Sequence, residues 1–146
     1  MARWIVLIIV SSLMVGCAGT HQTADNPELQ VWVGTWQGVA IRENRPDPPR
    51  QWTLVLSQKN GRLYGVISDD VGELRRKKVD DVRIVNDQLQ FSMSYETARG
   101  LQVVCRCRVQ LEEDKMLTTF EGREGGRAFD GKWEAKKLIV SQQAKQ

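Results

Sequence analysis

Few residues in this chain are of types that could carry out covalent chemistry. Cysteines stand at Cys17, Cys105 and Cys107, and the single histidine is His21. A serine or cysteine nucleophile usually takes its base from histidine, and no histidine follows position 21. A zinc centre built from Cys and His needs three or four such ligands, and the two later thiols fall short of that. Acids cluster at Asp69-Asp70, Asp80-Asp81 and Glu112-Glu113-Asp114. Each cluster lies in a stretch read as a connection between strands, where carboxylates are ordinarily solvated. No Gly-rich turn joins a strand to a helix, so no phosphate-cradling fingerprint is present. The chain therefore reads as a non-enzyme, with no catalytic residue, no metal and no cofactor.

Cys105 and Cys107 need a separate weighing. On an extended strand their Cα atoms lie about 6.6 Å apart. That is near the outer limit for a disulfide, and the parallel Cβ directions would strain one. One reading is a pair of small buried apolar side chains. Two others are a strained redox-active bridge and a thiol lining a pocket, because oxidising compartments rarely leave thiols free.

Cys17 belongs to a different kind of signal. Arg3 precedes an apolar core, Ile5 to Val15, of about eleven residues, whereas a bilayer span takes roughly 20. A short positive start, an apolar core and small residues at its end make a secretory signal. Leu13-Met14-Val15-Gly16-Cys17 resembles the lipobox of bacterial lipoproteins, with Met14 where leucine is commonest. The resemblance implies that residues 1–16 are removed and that Cys17 becomes the acylated first residue. It also implies that Ala18, rather than an aspartate, directs the protein to the outer membrane, facing the periplasm. Several acyl chains anchor far more firmly than one. The polar stretch beyond it, through residue 30, reads as a flexible tether containing Asn26-Pro27.

Composition and charge set limits on the remainder of the chain. The chain carries a net charge of +3, and loss of Arg3 with residues 1–16 brings this to +2. So small an excess gives no field for nucleic acid. The densest charge run, DDVGELRRKKVDD over residues 69–81, holds five acids and four bases. It is expected to pair internally as a solvated connection, the other reading being contact with anionic lipid head groups.

From residue 31 onward the apolar pattern has period two, the mark of half-buried strands. Leu101, Val103, Cys105, Cys107, Val109 and Leu111 share one face of LQVVCRCRVQLE. Leu89, Phe91, Met93 and Tyr95 share a face of QLQFSMSY, and Trp52, Leu54 and Leu56 share a face of WTLVLS. Between such runs, Asn60-Gly61 is the strongest short hairpin signal, and Asn86-Asp87 and Glu113-Asp114-Lys115 are further turns. The spacing predicts strands over 32–42, 51–59, 62–68, 79–85, 88–95, 101–112, 115–122 and 128–137. About eight antiparallel strands with one apolar face predict an all-β, up-and-down barrel, closed so that no edge is left open. It would span 31–137, with a polar tail over 138–146. The Pro-rich segment 43–50 cannot be a central strand and reads as a lid or rim element.

Gly34-Thr35-Trp36 in VGTWQG is similar to the Gly-x-Trp opening of lipocalins and of the wider calycin group. Gly131 to Lys137 looks like the closing strand of small bacterial lipocalin-like domains. The resemblance implies that Trp36 plugs one end of the barrel, with Lys136 or Lys137 covering its ring. No Thr-Asp-Tyr motif of the core lipocalins occurs.

This reading carries two expectations of function. In the first, a lipid-anchored barrel binds a small hydrophobic molecule or lipid in the envelope. The ligand-facing candidates are then Trp36, Trp52, Leu54, Leu56, Phe91, Met93, Tyr95, Cys105, Cys107 and Trp133. In the second, those same bulky residues fill the barrel, which serves as a scaffold for a protein partner, as in an envelope assembly factor or an enzyme inhibitor.

Overall fold

A computed structural model describes residues 25–139. Cys17, read as a lipobox cysteine, residues 1–16, read as a signal, the tether reading up to residue 24 and the tail from 140 lie outside the described residues. The fold is one nearly closed antiparallel barrel. Its strands are β1 (Gly34–Arg42), β2 (Arg50–Lys59), β3 (Arg62–Asp69), β4 (Lys77–Lys78), β5 (Asp80–Val85), β6 (Gln88–Glu96), β7 (Gln102–Glu112), β8 (Lys115–Glu124) and β9 (Arg127–Lys137). The sheet order is β4-β3-β2-β1-β9-β8-β7-β6-β5, so β9 returns to pair with β1.

Turn chemistry explains the hairpins. Asn60-Gly61 and Asn86-Asp87 both hold positive φ at their two central positions. Such turns match the right-handed twist of the strands they join. They connect β2 to β3 and β5 to β6, while Glu113, also at positive φ, turns β7 into β8. Every anticipated strand forms, and the alternation buries alternate residues along β2, β6, β7 and β9.

Nine strands form where about eight were expected. The additional one is β4, inside the stretch read as a plain connection. Asp69 ends β3 and its Oδ1 accepts the N–H groups of Gly72 and Leu74, at 2.8 and 3.1 Å. Gly72 and Arg76 take positive φ in the same loop. That tight loop lays Lys77 and Lys78 back against Ile67 and Val66. Val79 then crosses Gly65, donating its N–H to the Gly65 carbonyl at 3.0 Å. Only glycine fits beneath it, since a Cβ at position 65 would stand 2.6 Å from Val79 Cγ2.

The N-terminal boundary also differs. Residues 26–30, read as tether, belong to the fold. A helical turn, α1 (Pro27–Gln30), is capped by Asn26, whose side chain accepts from the Glu28 N–H. The Asn26 N–H donates to Gln58 at 2.9 Å, and Leu29 and Val33 pack against the core. Strand β1 accordingly starts at Gly34 rather than at Trp32.

Candidate functional site

Trp36, Trp52, Leu54, Leu56, Phe91, Met93, Tyr95, Cys105, Cys107 and Trp133 are all buried in a single interior cluster. They do not stand around an open lumen. The Trp52 ring lies 5.0 Å from that of Phe120 and 5.9 Å from that of Trp133, and Phe129 continues the stack at 6.3 Å from Phe120. Cys105 and Cys107 are both free thiols on the inner face of β7. Burial, with a contact to Cys105, pushes the Cys107 thiol well above its ordinary range, which suits packing rather than nucleophilic chemistry.

The two ends of the barrel differ. At one end Trp36 is buried, and its indole N–H donates to the Trp32 carbonyl at 2.8 Å. Lys137 stands over its ring, 5.1 Å from the centroid, and also reaches the Val31 carbonyl at 3.4 Å. Of the two lysines considered from the sequence, Lys137 takes this position. Trp32 is buried at this end, and Leu29 and Val33 pack over it.

The other end is closed by ions. Loop 43–49 folds over it, with Glu43 N–H bonded to the Asp130 carbonyl at 3.0 Å. Arg42 pairs with Asp47 of this loop at 3.0 Å and with Glu124 at 3.3 Å, its guanidinium lying 4.2 Å from the Phe129 ring centroid. Arg45 also pairs with Glu124, and Arg50 with Glu73. Beneath this latch, Ala40, Arg42, Pro48, Trp52, Tyr95 and Phe120 enclose only about 20 Å³. Burial pushes the Tyr95 phenol up to about 12, so it stays neutral there. The residue types were legible by parity. Arg42 lies on the Trp36 face of β1 and Arg50 on the Trp52 face of β2, which turns both arginines inward at the mouth. Of the acids that meet them, Asp47 comes from the adjoining loop, while Glu124 on β8 and Glu73 after β3 come from far along the chain and carry no local signal.

Burial opposes the charge on Glu124, but hydrogen bonds and charge from Arg42 and Arg45 outweigh it and hold the carboxyl below its ordinary value. A lowered folded pKa stabilises above the unfolded value and loses that contribution as pH falls through the folded one. The latch should therefore weaken below about pH 4.5. Protection factors of the loop 43–49 amides, that is, exchange corrected for its intrinsic pH dependence, are expected to fall on acidification, and Glu124→Gln should remove that pH dependence while lowering protection at neutral pH.

Along the barrel wall one junction is unzipped. Strands β3 and β5 lie side by side, yet no hydrogen-bonded ladder joins them. Short β4 covers only the Val66–Ile67 part of the β3 edge. A shift of register in β5 between Asp80 and Arg83, with Asp81 at positive φ, turns the rest of β5 away. The resulting groove has a volume of about 660 Å³, with Leu29, Leu63, Val79 and Val82 as its floor. Another outer hollow, about 760 Å³, lies over Gly122 between Val104, Arg123 and Asp130. Its strands are fully paired, so it offers side chains alone, whereas the seam also offers main-chain groups.

Acids and bases around the seam do not pair as the linear count suggested. Asp69 and Glu73 turn inward toward Arg50, at 3.8 Å for Asp69. Asp70 accepts from the Gln51 N–H at 3.1 Å. Arg75, Arg76, Lys77 and Lys78 consequently have no carboxylate within ion-pair distance among the described residues. No three of His, Cys, Asp and Glu converge as a metal centre would require among the described residues.

Fold and site together define a packed antiparallel barrel, latched at both ends and open along one side seam. No family model matches the chain, and no curated protein matches it.

Proposed function

We propose that this protein is a lipid-anchored envelope module that holds a protein partner on the outside of a packed, lipocalin-like barrel. The filled interior carries this reading. Small-molecule pockets occupy about 300–1,000 Å³, and the space under the latch is about 20 Å³, roughly one water's worth. Of the aromatic residues that would line a cavity, Trp52 and Trp133 pack on one another, and Trp52 on Phe120, instead. The lipobox resemblance at Cys17 supports anchoring, with Ala18 favouring the outer membrane, and the tether sets the barrel a short distance from the lipid. Partner capture, rather than storage of a hydrophobic ligand, is then the work of the surface.

Native mass spectrometry of the full chain, extracted in detergent and offered a panel of fatty acids and phospholipids, tests this. The expected native mass equals the denatured mass, covalent acyl chains included. A discrete adduct released on denaturation would establish a ligand cavity and overturn the reading.

A further inference from the structure

We propose that the seam accepts an extended acidic segment of the partner polypeptide as an added strand between β3 and β5. This rests on the external-interaction reading above and specifies its chemistry. The first support is main-chain geometry. In an antiparallel ladder, residues alternate between pairs that exchange hydrogen bonds and pairs that do not. The two-residue turn makes Lys59 and Arg62 an exchanging pair, so Tyr64 also faces β2 and Leu63 directs its N–H and C=O into the seam. By the same alternation Val85 and Arg83 face β6, and Ile84 directs its N–H and C=O into the seam from the opposite side. Free strand edges of this kind are templates for another strand.

The second support is the uncovered inner face. Ile84 sits opposite Leu89 on the interior side of the sheet. Leu89 is fully buried, but Ile84 is 36% exposed. What is missing beside it is a neighbour on the β3 side. Alternate apolar side chains of an inserted strand would cover Ile84 and the half-buried Val82, beside the already buried Leu63 and Val79, while an acyl chain would cover them and leave the Leu63 and Ile84 main-chain groups unpaired.

The third support is charge. Arg62, Lys78 and Arg83 line the groove, and none has a carboxylate partner among the described residues. Arg75, Arg76 and Lys77 extend the same sign along the rim. The acids lining the groove are Asp80 and Asp81, and Asp81 already accepts from the Ser92 hydroxyl at 3.2 Å. A second copy of this chain, pairing edge to edge, would bring Arg62 against itself. Alternating acidic residues on the outward face of a partner strand would instead sit beside Arg62 and Arg83.

The experiment uses the full chain in detergent and a blocked peptide of alternating glutamate and valine, about six residues long, the ordinary length of a strand. Residue-resolved hydrogen exchange is read at the Leu63 and Ile84 amides, with affinity taken from fluorescence anisotropy. The glutamate peptide should slow exchange at both amides, and the same peptide with N-methylated valines should not. A lysine–valine peptide should bind about tenfold more weakly, the sum of several modest cross-strand charge pairs. Arg62→Glu with Arg83→Glu, both at exposed positions, should reverse that preference. Unchanged exchange at Leu63 and Ile84 would overturn the proposal, as would equal binding of the lysine peptide. Protection that grows with protein concentration in the absence of peptide would overturn it too, in favour of a second copy. None of these outcomes touches the filled-barrel reading, which the native mass decides separately.

Discussion

Trp133→Ala is expected to lower the unfolding free energy by about 3–5 kcal/mol, the ordinary cost of deleting a large buried aromatic side chain. Trp133 is almost completely buried on β9, and its ring meets Trp52 of β2 over the intervening strand β1, at 5.9 Å. Trp52 in turn stacks with Phe120. Removing Trp133 therefore leaves a hole walled by the adjacent strands β2, β1 and β8, whose hydrogen-bonded ladders resist collapse. Urea unfolding followed by tryptophan fluorescence measures the loss. A companion variant separates packing from polarity. The Trp133 indole N–H has no hydrogen-bond partner among the described residues, and an unsatisfied buried donor costs about 1–3 kcal/mol. Trp133→Phe removes that donor along with some volume, so its net effect should be much smaller than that of alanine. If both variants lost little stability and Trp133→Ala bound hydrophobic dyes in the folded state, the interior would be a cavity rather than a core.

Asp69→Ala should be the most damaging change to a charged residue, by about 2–4 kcal/mol. The Asp69 side chain is fully buried. It holds the loop after β3 through the Gly72 and Leu74 N–H groups and lies 3.8 Å from Arg50 Nη1. Without it, Arg50 keeps Glu73 alone, and the turn that presses Lys77 and Lys78 onto β3 is left with the Asp69 N–H to Leu74 carbonyl bond and the Arg76 N–H to Ser68 hydroxyl bond. Leu74, buried beneath that loop, would be released. Exchange at Leu74, Lys77 and Val79 should therefore accelerate more than at residues of β7 or β8. Asp69→Asn retains an acceptor for the two N–H groups and should lose about half as much, leaving the loop in place. A uniform loss across all strands in Asp69→Ala would show that β4 is not a separate latch on the barrel.

The comparison between the alanine and asparagine variants bears on the seam as well. Strand β4 marks where the β3–β5 junction stops being closed, and Val79 is both its last anchor and part of the groove floor. Freeing β4 should lengthen the open seam toward Ile67 without disturbing the ends of the barrel. The acidic peptide would then bind Asp69→Ala less selectively, because the bases at 75–78 would no longer be held at the rim.

Much of this molecule is written locally. A period of two in the apolar residues places Trp52, Leu54 and Leu56 on one face because successive side chains of a strand point oppositely, and that holds whatever the strand packs against. Asn60-Gly61 and Asn86-Asp87 turn because their residue types tolerate positive φ. Strand positions and the inward face were therefore readable, as was the lid or rim character of 43–50, of which residues 43–49 fold over one end and Arg50 opens β2. What joins residues distant in sequence was not. Asp69 and Glu73 looked like partners for the bases beside them, but Arg50 from β2 and the loop's own N–H groups take them, and a basic rim is left behind. Glu124 meets Arg42 and Arg45 only because β8 and β1 flank the same end of the barrel. Strands β3 and β5 face each other without pairing because a register shift near Asp81 bends one edge away, and no neighbouring residue announces that gap. Sequence by itself determined the strands other than β4 and the faces they bury, since both depend on neighbours within a few residues, while β4 formed only against β3 and α1 only against distant β2. Only closure of the sheet decided which charges found partners, how full the interior is and where the wall stays open, because each depends on strands brought together from far apart in the chain.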